Sequence, residues 1–436
     1  RVLYVYRNVS ASPMATYYVV GTRTGTNITW GTAARLSDYD ISGSDVQICS
    51  IGTDKFFAVY LDWENHYYVR VVSTTSSNTA TLGTKLVLGD TSGNNMGKDV
   101  FKNPQLHYNS TTGAILLGYI LTSGGGAGLQ GRMCTVSGTT ITSGSPVQVN
   151  SNTPSNIDSC YISSQKALLF VFKRANNSPP WFSAFIKEPA SGTTVLIGAT
   201  DEVPNSSWTG NYHCCEYDPV NDMVIAAAMN TNDKIYYQLG TWTTANNANG
   251  GMDWANSDIF TIGGTQRTDM NYGQIVYQPT PQNMTWIYSE QGTNDGWMIQ
   301  FTMPSVKTGD VTFDDSSWTE FETTAYKPQG SHAFAGSGGQ IIVPFLDNAD
   351  KHGLKIKQFD STTVTTENFI GFSKEAYSDG DTATIHVVGN TTTQSSLTPG
   401  QKYYVDNSGN VSLTAATPSV VAGRALSATK LLIQPA

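Results

Sequence analysis

Charge is scarce in this chain: Asp, Glu, Lys and Arg make up 14% of its 436 residues, well below the usual quarter. What charge there is, 25 Lys and Arg against 34 Asp and Glu, leaves a formal net charge of −9 with no basic run. A polyanion finds little to hold, so nucleic acid, heparin-like chains and anionic lipid surfaces are excluded as expected partners. Long hydrophobic runs are also missing. No stretch is long enough to span a bilayer as a helix, and membrane insertion is not expected.

Cysteine is rare too. The five, Cys49, Cys134, Cys160, Cys214 and Cys215, are odd in number and widely spaced but for one adjacent pair. That pattern fits neither a metal site nor a disulfide framework. Buried thiols are expected, with Cys214 and Cys215 on opposite faces of one strand. The six histidines (His66, His107, His213, His332, His352 and His386) are scattered, and no metal is expected. Metalloprotease, P-loop and dinucleotide motifs are absent, so no cofactor is expected either.

Aromatics are plentiful, with 9 Trp, 22 Tyr and 16 Phe, and hydrophobic residues reach 39%. Those residues can bury a real core. Ser, Thr, Asn and Gly fill the place of charge and give a polar surface suited to turns and to hydrogen bonding with sugars.

The decisive feature is an internal repeat. Seven apolar segments share one shape: VLYVYRN from Val2, FFAVYLD from Phe56, ILLGYIL from Ile115, LLFVFKR from Leu168, VIAAAMN from Val224, MTWIYSE from Met284 and IIVPFLD from Ile341. Their starts are separated by 54, 59, 53, 56, 60 and 57 residues. The fifth position is aromatic in all but one: Tyr6, Tyr60, Tyr119, Phe172, Tyr288 and Phe345, with Ala228 the exception. Continuous apolar runs imply strands covered on both faces.

A shorter strand precedes most of these segments, as in PQLHYN (104–109), YHCCEYD (212–218) and HAFAGS (332–337). A more amphipathic one follows, as in YYVRVVS (67–73) and WMIQFTM (297–303). A Thr/Val-rich fourth strand closes the unit, as in NITWGTAARL (27–36), TATLGTKLVLG (79–89) and TTVLIGATDEV (193–203). Four antiparallel strands per unit, joined by Gly, Asn, Asp and Pro turns, form a propeller blade. The expected fold is therefore all-β: a seven-bladed β-propeller over residues 1–368 plus a small C-terminal β domain over residues 369–436. The first blade misses its innermost strand at the N-terminus, and that strand is expected ahead of Arg1. WD40 and kelch signatures are absent, and a β-solenoid would need shorter rungs.

After residue 369 the period breaks. LTPGQKYYVDNSGNVSLT (397–414) is followed by VVAGRALSATKLLI (420–433). This combination resembles the C-terminal module of bacteriophage tail fibres, especially those of marine and cyanobacterial phages. The matching positions are Leu397, Gly400, Tyr403, Tyr404, Gly409, Ala422, Gly423, Ala425, Leu426 and Leu431 to Ile433. They read as turn and core positions, and no binding residue is carried over from them. Upstream, the resemblance rests on architecture alone. It implies a virion protein at the tail tip, acting outside the host cell. A homotrimer, contact with other phage tail proteins, and a host cell-surface polysaccharide or lipopolysaccharide as receptor go with it.

The loops joining second and third strands carry the candidate ligand chemistry: DWENH (62–66), RANNSPPW (174–181), NTNDK (230–234), GTNDGW (292–297) and DNADKH (347–352). Equivalent loops of a propeller emerge on one face. Asp62, Trp63, Asn65, Asn177, Trp181, Asn232, Asp233, Asn294, Asp295, Trp297, Asp347 and Asp350 would line that rim. Carboxylates and amides bind hydroxyls, and Trp faces take the apolar side of a pyranose. Asx and Gly are also what tight turns need.

No catalytic residue is expected. The adjacent Asp314 and Asp315 suit a turn better than the opposed carboxyls of a glycosidase. A non-enzymatic glycan-binding protein leads. A glycan depolymerase and a structural tail adaptor remain alternatives.

Overall fold

The computed structural model describes residues 1–8, 15–24, 27–38, 46–62, 66–88, 101–123, 127–174, 181–203, 213–229, 235–245, 247–255, 258–259, 261–262, 265–266, 270–279, 282–290, 295–322, 334–335, 340–346, 352–358, 371–375, 384–405, 410–415 and 420–434. Among them every regular element is a strand, and every strand pairing is antiparallel. The chain divides into two compact units, Arg1–Gly336 with Gln340–Gln358, and Ser337–Gly339 with Phe359–Ala436.

In the first unit the apolar segments become the second strands of successive meander sheets. The third sheet shows the plan: Phe101–Asn109, Ala114–Leu121, Gly128–Ser137, then the outer pieces Thr140–Ser143 and Val147–Asn150. The same order runs through the second, fourth and fifth sheets. The sixth comprises Met270–Gln278, Asn283–Glu290, Gly296–Thr302 and Thr312–Glu322. In the first sheet Val2–Asn8 pairs with Ala15–Thr24, which carries Asn27–Trp30 and Ala34–Arg35 at its outer edge. The seventh has three strands among the described residues, Phe334–Ala335, Gln340–Leu346 and His352–Gln358.

Face-to-face stacking explains why the second strands are apolar throughout. In Ala114–Leu121 every residue is buried. Its Ile115, Leu117, Tyr119 and Leu121 share a core with Phe57, Val59 and Leu61 of the second sheet. Ala114, Leu116 and Ile120, pointing the other way, share one with Leu168, Phe170 and Phe172 of the fourth. Further shared cores join first to second, fourth to fifth and fifth to sixth sheets. A strand between two like sheets has no solvent face, so its period-2 alternation disappears. Four-stranded sheets stacked in this way are propeller-type packing.

The fourth strand departs from expectation. It is not continuous in the first five sheets but broken into two short pieces that both pair with the third strand: Ala80–Leu82 and Leu86–Val87, or Leu196–Ile197 and Asp201–Val203. A glycine sits at the break in the first four sheets: Gly31, Gly83, Gly144 and Gly198. The N–H groups of Gly31, Gly83 and Gly144 keep one bond each, to the carbonyls of Val20, Val71 and Met133, at 2.8 Å. A Cβ on Gly31 or Gly144 would run into the Asn78 or Thr193 carbonyl of the next sheet. The glycine lets neighbouring backbones meet at the outer edge.

The adjacent cysteines divide between two cores. Cys214 faces the sixth sheet and Cys215 the fourth. All five thiols are free, and burial pushes the Cys214 and Cys215 thiols well above their ordinary pKa.

The second unit is built on a five-stranded sheet in the order Thr391–Thr393, Lys430–Ile433, Val421–Ser427, Lys402–Val405, Val411–Ser412. Leu397, Tyr403, Val405, Ala422, Ala425 and Leu431 form its core.

Candidate functional site

The strand registers bring the second-to-third connections to equivalent ends of the sheets. Asp62 pairs with His66, Lys173 with Trp181, Met229 with Ile235, Ser289 with Gly296 and Leu346 with His352 at those ends. Trp63, Asn65, Asn177, Asn232, Asp233, Asn294, Asp347 and Asp350 lie outside the described residues. Asp62 ends its strand as expected of a loop-flanking residue.

Trp181 corrects the reading. It opens the strand Trp181–Lys187 and is fully buried in the core shared by fourth and fifth sheets. Strand alternation sends it to the same face as Phe185, into that core. Its role is packing, not rim contact.

Trp297 packs, with Trp318, against the core shared by the fifth and sixth sheets, but it is not enclosed as Trp181 is. It is partly buried at the loop end of the sixth sheet, in register with Tyr288 on one side and Glu320 on the other. Its ring lies 5.5 Å from that of Trp318, tilted by 54°. The Trp318 indole Nε1 donates to the Tyr288 hydroxyl at 2.8 Å, and Trp286 meets Tyr288 edge-on at 5.9 Å. The Trp297 Nε1–H is enclosed and has no hydrogen-bond partner among the described residues. Asp295, partly buried, and Glu320, exposed, flank the pair.

The outer strand Thr312–Glu322 carries this arrangement. It is unbroken, yet its register slips twice, between Gly296 and Trp297 and between Met298 and Gln300. Such irregularities re-aim side chains and recur beside binding sites. Asp314 and Asp315 belong to this strand rather than to a turn. The Ser317 hydroxyl donates to the Asp314 carbonyl at 2.7 Å, and its oxygen accepts from the Gln300 N–H at 2.8 Å. Sequence reasoning missed Tyr288, Trp318 and Glu320. One signal was legible: the sixth repeat's fourth-strand segment, VTFDDSSWTEFE (311–322), has no glycine where the first four repeats have Gly31, Gly83, Gly144 and Gly198.

A second polar set lies along the first strands. Gln105 Nε2 donates to the Ile157 carbonyl at 3.5 Å, and its Oε1 accepts from Ser159 Oγ at 2.9 Å. The Cys215 N–H donates to Asp158 Oδ2 at 2.8 Å, and the Tyr277 N–H to Glu216 Oε2 at 3.4 Å. Each link bridges two sheets. Burial, reinforced by the nearby Asp158, raises the Glu216 carboxyl to about 7 against hydrogen bonds from the Tyr217 and Tyr277 N–H groups. His107 stacks on Tyr161 with centroids 3.6 Å apart, and burial lowers its imidazole to about 4. These groups are structural staples. Among the described residues no set of three His, Cys, Asp or Glu side chains is placed to hold a metal ion.

No family model and no curated protein matches this chain. Among solved structures it is similar to AofleA from Arthrobotrys oligospora, with 8% identity over 74% of this chain and 89% of that one and a TM-score of 0.44. It is also similar to a hypothetical selenium-binding protein from Sulfolobus tokodaii, with 7% identity over 71% and 74% and a TM-score of 0.46. At these values neither likeness bears on ligand or partner.

Proposed function

We propose that this chain is a non-enzymatic receptor-binding protein of a phage tail fibre, recognising a polysaccharide or lipopolysaccharide of the host surface. The observation that carries the reading is the Trp297–Trp318 pair braced by Tyr288 and flanked by Asp295 and Glu320. Indole edges for the apolar side of a sugar and carboxylates for its hydroxyls form a glycan subsite. A shallow subsite binds weakly by itself. A homotrimer held among other tail proteins multiplies it through effective concentration.

The scaffold in this reading is a seven-bladed ring. Tyr4, Tyr6 and Tyr17 stack at 5.7 and 6.0 Å on the face of the first sheet opposite Leu3, Tyr18 and Val20. A closed ring requires that aromatic face to meet the seventh sheet.

Purified protein titrated onto host cells and onto extracted surface polysaccharide tests the function. Saturable binding without release of reducing sugar is expected. Sugar release would make the chain a depolymerase, and an intact oligomer that binds neither would make it a structural adaptor.

A further inference from the structure

The solvent face of the C-terminal sheet carries a charge pattern opposite to that of the whole chain. Alternation along Lys402–Val405 turns Tyr403 and Val405 into the core and leaves Lys402 exposed with Tyr404 beside it, the Lys402 ammonium 5.3 Å from the Tyr404 ring centroid. Along Val421–Ser427 the same alternation exposes Arg424 and Leu426. Along Lys430–Ile433 it exposes Lys430 and leaves Leu432 half-buried.

Registers make these side chains neighbours. Lys402 lies directly opposite Arg424, Arg424 opposite Leu432, and Leu432 opposite Thr391. Lys430 is two residues from Leu432 on its strand. With strands about 4.8 Å apart and about 6.7 Å between alternate residues, three cations fall within roughly 12 Å, with Arg424 in the middle. Arg424 Nη1 donates to the Gly400 carbonyl at 2.9 Å, and no described carboxylate pairs with any of the three. Glu375 is the one acid among the described residues after 370, and it lies outside the five strands.

Two cations directly opposite each other on a sheet repel and weaken it. Folding alone gives no reason for that pair. Leu426, 54% exposed, adds apolar surface between the charges.

We propose that this face binds an acidic polysaccharide, a chain whose carboxylates recur at about the spacing of sugar units. Sparse carboxylates suit three cations on a protein with a net charge of −9 better than the dense phosphates of DNA, which the rest of the chain repels. Tyr404 and Leu426 supply contacts for the apolar edges of the sugars. The site is separate from the Trp297 cluster and stands whether or not that cluster binds glycan.

Affinity electrophoresis of the full chain through gels containing polygalacturonate, dextran or short duplex DNA at low salt tests it. Polygalacturonate retards the wild type, dextran does not, and raising the salt abolishes the retardation. Lys402→Glu with Arg424→Glu weakens retardation at least about tenfold, whereas Lys55→Glu, the same charge change at an exposed residue of the first unit, leaves most of it. The single variant Lys402→Glu supplies a second readout, because it converts the opposed cations into an ion pair. It should bind less and melt no lower than wild type. Equal retardation of wild type and double variant, or none of the wild type, overturns the proposal. Equal or stronger retardation by DNA overturns the choice of polysaccharide.

Discussion

Tryptophans of similar sequence surroundings differ in burial, and mutation tests whether they differ in role. Trp181 is wholly enclosed, so Trp181→Ala should lower unfolding free energy by about 3–5 kcal/mol, read from denaturant midpoints. Trp297→Ala should cost less stability yet weaken adsorption to host cells about tenfold, as should Trp63→Ala; unchanged adsorption in both removes this rim as the receptor site. Two titrating groups oppose each other in acid. Glu216, raised from 4.5 to about 7, holds its proton in the folded state, so it makes stability fall as pH rises across that window. His107, lowered from 6.5 to about 4, is protonated first in the unfolded chain, so it makes stability rise over its own window. Between pH 4.5 and 6.5 the two slopes offset. Glu216→Gln should unmask a rise and His107→Phe a fall, each on the order of 1–3 kcal/mol in unfolding titrations at stepped pH. Two flat profiles would contradict both assignments.

At the scale of strands and sheets, the glycine break in the outer strand sets how closely neighbouring sheets approach. Gly144→Val should destabilise by about 1–3 kcal/mol, because its side chain meets the Thr193 carbonyl rather than a side chain that can turn away. Gly138→Ala offers the contrast. No atom lies near a Cβ there, and its cost is limited to the positive φ of 64°. A melt in which Gly144→Val matched wild type would remove the close-approach argument. Repeat period, strand order and the two-faced second strands were legible because each follows from local apolar spacing. The splitting of the fourth strand was not, because it depends on a carbonyl in the next repeat. Segments such as TWGTAARL read as one β-rich run until that neighbour is in place.

For the whole molecule, ring closure is the property on which the shared rim depends. Cysteines replacing Tyr4 and Ile342 should be joined within one chain by a bismaleimide crosslinker spanning about 10 Å, the face-to-face spacing of packed sheets, seen as a mobility shift on denaturing gels. Its absence in folded protein would leave the sheets as an open stack. The charge of the whole chain is a coarse guide at this scale. A net −9 argued against polyanions, yet registers among three strands gather Lys402, Arg424 and Lys430 on one face. Net charge is a sum over the chain, whereas recognition depends on what lies within about one Debye length.

By itself the sequence determined the all-β class, the repeat, the continuous apolar runs that bury each second strand and the thiols outside any disulfide, because these follow from spacing along one chain. Only tertiary structure decided that Trp181 packs inside, that Trp297 meets Trp318, that the outer strands break at glycine and that three cations share a face. Each of those depends on residues brought together from different strands, and no linear spacing records such a meeting.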